Sequence, residues 1–385
     1  MKTQVIVVLN HFPISFSCDY LYQISSRLSK HAEVVIFNPF YFPSVKELCL
    51  NARARGLWIA GLSAANIRIF PSIGFIPFQR FFLVKRLNTI INIFFFYLYY
   101  ILQFGLIPPL LWVFSHEFVR LEKLFFWKKG YIYDRADHPA SVIKRSDRVL
   151  KQSDAQVIRQ AMLVLVNSPF AYRYVRNISP HVMEAPWGVD EGFITRPRQT
   201  TKDRGVRIGF VSHIDHRFDT KLLYALAKKE KDWKFIIVGG ILPFDPEQAR
   251  QTRLKEHLDR ASLLPNVTFT GELPKKKAVG LMHSFDVCLV LYDSSQEFVK
   301  GSNPMKVYEY LAVGRPVVST PIEAIERYSP SVVIARNAKE FQKEIQGILH
   351  TGTSVKDMKT FQNIARSNSW TKRVELAWKR VRTLL

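Results

Sequence analysis

The stretch from Tyr292 to Pro321, YDSSQEFVKGSNPMKVYEYLAVGRPVVSTP, constrains this chain more than any other. Its signals come in a fixed order: loop, short helix, glycine stop, buried strand. Ser302 and Asn303 offer a hydroxyl and an amide to free backbone N–H groups, and Pro304 suits a first helical turn. Met305, Tyr308, Leu311 and Ala312 recur at helical spacing and give one apolar face. Gly314 supplies a left-handed stop, and Pro316 to Thr320 is a β-branched run suited to a buried parallel strand. A helix start with exposed N–H groups, a positive dipole end and Lys306 one turn in is a ready anion site. An ordinary capped helix carries the same signals.

The rest of the chain alternates in the same way. Val5–Leu9 is a continuous apolar run, followed by a loop with His11, Ser15 and Ser17, a helix over about 19–30 and a strand at 34–37. Strand, helix, strand within about forty residues is a βαβ unit, so the N-terminal half should be doubly wound. Its first loop has no Gly-x-Gly-x-x-Gly, which argues against a dinucleotide site there. Ligands of open α/β sheets bind at the carboxyl ends of strands, so His11 and Ser15 belong to the side of a cleft, or simply to a polar loop. Tyr131–Tyr133 reads as a short strand, with Asp134, Arg135, Asp137 and His138 just past its end. An aspartate there could take a proton from an acceptor hydroxyl and an arginine could hold an anion, although a capped helix with a local ion pair would look alike. Polar, basic 196–207 reads as a linker. Beyond it the alternation resumes: Ile208–Val211 leads to Ser212 and Arg217, Phe235–Val238 to Gly239-Gly240, Val267–Thr270 to Glu272 and Leu273, and Val287–Leu291 to Tyr292.

Composition narrows the partners. The chain has 385 residues, enough for two domains with buried cores. Three widely spaced cysteines imply neither a disulfide framework nor a zinc site, and a reducing cytosol is the simplest compartment. The sequons at Asn177 and Asn266 then read as chance matches. A net charge of +23 points to anionic partners: nucleic acid, anionic lipid or phosphorylated substrates. Without an arginine-rich tail, zinc finger or RNA-binding aromatic motif, nucleic acid is the weakest of these.

From Ile90 to Phe114 the chain is almost wholly apolar, enough for a membrane-spanning helix. Pro108-Pro109 divides it into a helix of about 85–104 and a strand of about 110–114, followed by polar Ser115-His116-Glu117. Upstream, FQRFFLVKR mixes aromatics with Arg80, Lys85 and Arg86, the composition of a surface that rests on anionic lipid. The reading is a peripheral, monotopic contact, with a span and a buried core helix as its alternatives.

The segment SNPMKVYEYLAVGRPVV resembles the donor site of the GT-B glycosyltransferases, enzymes of two Rossmann-like domains that use nucleotide sugars. The resemblance extends to YDxxD at 133–137, similar to a segment in teichuronic-acid and xanthan-type glycosyltransferases, and to Pro186-Trp187-Gly188-Val189-Asp190, where Trp187 replaces the usual asparagine of an NGVD element. It implies an α/β, GT-B fold of two doubly wound parallel sheets facing a cleft. The implied parts are an acceptor or membrane-facing domain over 1–195, a donor domain over 196–365 and a C-terminal helix over 366–385 that crosses back. It also implies donor-binding roles for Arg217, Glu272, Leu273, Tyr292, Ser302, Asn303, Met305, Lys306 and Glu309, and acceptor-side roles for His11, Ser15, His116 and Arg135. Asp137, or failing it Asp134, would be the catalytic base. Retaining relatives carry two glutamates around the donor loop; counting back from Glu309, Gly301 stands where the first would be, which favours an inverting mechanism. With no Asp-x-Asp pair, neither metal nor other cofactor is expected. The function implied is transfer of a sugar from a UDP- or GDP-sugar to a membrane-associated, lipid-linked acceptor in cell-surface polysaccharide synthesis. The enzyme would sit peripherally on the cytoplasmic face of the cell membrane, against anionic lipid. A non-catalytic nucleotide-binding scaffold of a polysaccharide-assembly complex is the alternative.

Overall fold

Apolar runs with no alternation need cover on both faces, and the strands of this chain obtain it by parallel pairing beneath helices. The computed structural model describes residues 4–9, 19–39, 67–76, 78, 81–135, 147–194, 205–242 and 249–385. The chain divides into two units. The first comprises Met1–Asn167, Ala171–Ala185 and Val374–Leu385, and the second Ser168–Phe170 and Pro186–Arg373.

The first unit is built from β1 (Val5–Leu9), α1 (Asp19–Leu28), β2 (Glu33–Phe37), β3 (Ile67–Phe70), α2 (Phe82–Phe104), β4 (Leu110–Val113), β5 (Gly130–Arg135), α3 (Asp147–Gln160), β6 (Leu163–Val166), α4 (Pro169–Arg176) and β7 (Val182–Glu184). Its seven strands lie in the order β3-β2-β1-β4-β5-β6-β7, all parallel. The order reverses between β1 and β4, the switch point where open sheets bind ligands. Val5 to Leu9 are wholly buried, as are Leu110 to Val113, so the unalternating runs are the sheet's centre.

The second unit carries β8 (Arg207–Val211), α5 (Thr220–Lys229), β9 (Lys234–Val238), α6 (Ala249–Ser262), β10 (Val267–Phe269), α7 (Lys275–Met282), β11 (Val287–Val290), α8 (Glu297–Lys300), α9 (Met305–Ala312), β12 (Val317–Ser319), α10 (Glu323–Glu326), β13 (Val332–Ile334), α11 (Ala338–Thr351) and α12 (Val355–Ser367). The start of α13 (Trp370–Arg382) also belongs to it. Its parallel sheet has the order β10-β9-β8-β11-β12-β13, so β8 and β11 flank its switch point. The two units thus repeat one doubly wound plan.

One local reading changes. Strand β5 runs through Asp134 and Arg135 instead of stopping at Tyr133, and both charged side chains are buried in it. Within 366–385 the helix is α13, which follows α12 after a break at Asn368-Ser369. Gly188 is required by close packing: a Cβ there would fall 2.4 Å from the backbone nitrogen of Trp370. His11, Ser15, Asp137, His138 and the linker residues 196–204 lie outside the described residues.

Candidate functional site

The order read from Tyr292–Pro321 holds in space. Helix α9 starts at Met305, ends before Gly314 (φ 76°), and feeds the fully buried β12. Its N-terminus differs from expectation in a useful way. Pro304 occupies the cap position, and no side chain caps the helix. Asn303 instead accepts a hydrogen bond from the Tyr308 hydroxyl at 2.9 Å, and the Ser302 hydroxyl donates to the Val299 carbonyl at 2.8 Å. Both residues shape the loop from within, which leaves the positive end of the helix without a side-chain acceptor.

Lys306 sits in that first turn. It is only 5% exposed, its Nζ lies 4.2 Å from the centre of the Phe210 ring and 4.4 Å from that of Tyr292, and it has no hydrogen-bond partner of good geometry. Burial pulls its pKa below the usual lysine value, while the Tyr292 oxygen works in the opposite direction. A buried ammonium facing two aromatic rings gains some cation–π attraction, but far less than hydration would supply. Tyr292 is the counterpart: burial would raise its phenol, yet Lys306 and Arg217 beside it carry the pKa below the usual tyrosine value.

The neighbouring loops come from the carboxyl ends of β8 and β11. Arg217 lies 5.4 Å from the Tyr292 ring centre and forms an ion pair with Asp215, its Nε 2.9 Å from both carboxylate oxygens. Burial would raise the Asp215 carboxyl, but the Arg217 hydrogen bonds bring it below the usual aspartate value. The loop after β8 is tied down at both ends. Val211 donates its N–H to the Tyr310 hydroxyl of α9 at 2.7 Å, and Gln296 reaches the His216 carbonyl at 2.8 Å. Gly239, at φ 140°, lets β9 pass under the same loop; a Cβ there would lie 2.0 Å from the Ser212 carbonyl oxygen. Residues 210–217, 292 and 303–306 are therefore one constellation at the switch point of the second sheet.

Other candidates lie nearby or apart. Glu272 is exposed and bonds His213 across the ends of β10 and β8 at 3.1 Å, while Leu273 packs against the core of the unit. Met305 and Glu309 are both half-buried on α9. In the first unit, His116 opens a one-turn helix after β4, started by the Ser115 hydroxyl accepting from the Glu117 N–H. Asp134 is buried and accepts from the Trp112 indole N–H at 3.0 Å. Arg135 is spent on Asp154, with its Nε 3.1–3.2 Å from the two carboxylate oxygens, and Tyr133 donates to the same carboxylate at 2.9 Å. Sequence reasoning missed Tyr308, Tyr310 and Asp215. The two tyrosines pass for apolar-face residues until their hydroxyls are placed, and Asp215 had only its two-residue spacing to Arg217 as a signal. Among the described residues, no group of three or more His, Cys, Asp or Glu side chains could hold a metal ion.

Residues 207–351 match the family described as Glycosyl transferases group 1. Over 284 residues, 68% of each chain, the protein is 25% identical to a Bacillus subtilis (strain 168) protein named "Putative teichuronic acid biosynthesis glycosyltransferase TuaH". Among solved structures it resembles Anabaena HepE in complex with UDP and glucose (16% identity, TM-score 0.70, 99% of each chain covered). Sucrose-phosphate synthase from Thermosynechococcus elongatus is similar to the same degree (15% identity, TM-score 0.70, 99% of each chain). The fold is GT-B.

Proposed function

We propose that this chain, a GT-B fold with a group 1 glycosyl transferase domain over residues 207–351, transfers a sugar from a nucleotide sugar to a membrane-associated acceptor in polysaccharide synthesis. The observation that carries the reading is Lys306: a buried ammonium with no hydrogen-bond partner of good geometry, in the first turn of an uncapped helix, at the switch point of a parallel sheet. A diphosphate is the ligand that answers all three features, because it brings negative charge and several acceptor oxygens to free N–H groups and a cation. In glycosyl transfer the leaving diphosphate gains charge as the sugar–oxygen bond breaks. Donors already in place stabilise that charge without reorganising, and one such donor contributes on the order of 3 kcal/mol. Glu309, on the same helix, would take the ribose hydroxyls, and the backbone at Glu272-Leu273 the base.

Several comparisons support this reading: HepE in complex with UDP and with UDP-glucose shares the fold, and the similar Bacillus protein is named for teichuronic acid biosynthesis. The base would be Asp137, with inversion at the sugar carbon. Asp134 is a weaker candidate because its carboxylate already holds the Trp112 indole. The test is incubation of the protein with membranes and a panel of UDP-, GDP-, ADP- and CMP-sugars, following release of the nucleotide. One UDP- or GDP-sugar should be turned over. Binding of a nucleotide with no turnover would instead mark a non-catalytic scaffold. Asp137→Asn should bind UDP normally and transfer at least about a hundredfold more slowly, the usual worth of a general base; near-normal transfer by that variant removes the base from Asp137.

A further inference from the structure

We propose that α2 is a lipid-docking face that lies along an anionic membrane surface and does not cross it. This deepens the membrane-acceptor reading, and it rests on the first unit alone.

Helix α2 has its polarity reversed. Its polar side chains Asn88, Thr89 and Asn92 are buried, whereas Leu83, Leu87, Ile90, Phe94, Leu98 and Ile101 form an exposed stripe at three- and four-residue spacing. Phe94 is 59% exposed and Leu83 71%. The stripe continues to Leu102, nineteen residues beyond Leu83, or about 29 Å of helix. Phe75, against Phe95, and Phe126, against Tyr97, widen it on either side. Continuous apolar surface of this length is not left to water without a partner.

The buried face shows how the helix is held. Asn92 accepts from the Ile73 N–H at 2.9 Å and donates to the Ile73 carbonyl at 2.7 Å. Asn88 does the same with Ile76, both contacts at 2.9 Å. Two side-chain amides thus pair with the 73–76 backbone as a neighbouring strand would. Beyond them Ile93, Phe96 and Tyr100 enter the core, where Phe96 stacks on Phe37 with ring centres 4.5 Å apart. The helix is long and apolar enough to cross a bilayer. A crossing would strip those four hydrogen bonds and leave amides in hydrocarbon. A helix with one face bound to protein and the other apolar satisfies both solvents by lying in the interface.

Charge selects lipid over a second copy of the chain. Exposed Lys85 and Arg86 stand in the first turns of α2, the helix has no acidic residue, and the whole chain carries +23. Two such faces brought together would oppose like charges, whereas anionic headgroups complement them. The stripe has no polar side chain that could register a protein partner.

The experiment is flotation of the full-length protein with vesicles of phosphatidylcholine alone or with about 30% phosphatidylglycerol, a composition set by the need for anionic lipid. Wild-type protein should float with the anionic vesicles and be released by alkaline carbonate. The combined variant Leu87→Gln, Phe94→Gln, Leu98→Gln should bind at least about tenfold more weakly, because three large apolar side chains no longer enter lipid. Its melting temperature and UDP-induced thermal shift should stay at wild-type values, which separates failure of this proposal from failure of the donor reading. Lys85→Glu with Arg86→Glu should weaken binding to the anionic vesicles only. Resistance of the wild type to carbonate would show a span. A wild-type dimer that the triple variant converts to monomer, with vesicle binding absent or unchanged, would assign the face to a second copy. Either result overturns the proposal, as does wild-type protein that ignores both kinds of vesicle.

Discussion

Lys306 is a costly group to bury, and the proposed diphosphate is the charge that would answer it. Replacing the lysine with methionine, of similar volume and no charge, should leave the ligand-free melting temperature unchanged or raise it, since a buried charge without a hydrogen-bond partner of good geometry is exchanged for an apolar chain. The same variant should bind UDP at least about thirtyfold more weakly by calorimetry, the loss expected of a buried hydrogen-bonded charge pair. The pH dependence follows from the same burial. The native lysine pKa lies below 10.5 and the native Tyr292 pKa below 10.0. Between each native value and the unfolded one, the unfolded chain binds more protons, so stability contributed by these groups rises with pH in that window. The melting temperature of wild type relative to Lys306→Met should therefore climb as pH approaches 10.5 from neutrality, and saturating UDP should flatten the trend. Asp134 and Arg135 were misplaced for a different reason. Charged residues after a short apolar run signal a strand end, and the distant Trp112 and Asp154 give both a buried partner within β5.

At the scale of elements, α9 and α2 rest on different signals. Helical spacing located α9, whereas α2 was located by the length of an apolar run and the Pro108-Pro109 break that ends it. Run length could not say which side of α2 faces inward. There the asparagines, which sequence reading treats as interruptions of an apolar run, are the anchors, and the apolar residues are the surface. Asn92→Ala should cost the first unit about 2–4 kcal/mol, since the N–H and C=O of Ile73 both lose their partner. Thermal unfolding would show a lowered transition, with the UDP-induced shift retained. An unchanged transition would mean that water replaces the clamp. Asn266 has a comparable hidden role: its amide donates to the Ala227, Glu230 and Trp233 carbonyls at the end of α5, which no reading of the sequon suggests.

For the whole molecule, the doubly wound plan of each unit follows from alternation and run length, and the surplus of positive charge follows from a count. A chain at +23 repels itself, so its melting temperature should rise as salt increases from low ionic strength to about 0.3 M, where the screening length falls below about 6 Å. Differential scanning fluorimetry across a salt series would show it. A flat series would mean that the basic residues are dispersed too widely to act together. Binding to anionic vesicles should weaken over the same range, since salt screens the headgroups as well.

By itself the sequence determined the periodic features of this protein: two sheets of parallel strands, the short helix with its glycine stop, and a cation near that helix's start. These are local, because spacing along the chain is spacing on a face. Tertiary structure decided what each polar group is for. It turned Ser302 and Asn303 inward, left the start of α9 without a side-chain cap, and enclosed the Lys306 ammonium between Phe210 and Tyr292 from two other segments of the chain. Burial and partnership are set by residues far apart in sequence, which is why spacing alone leaves an ordinary capped helix and the proposed donor site indistinguishable.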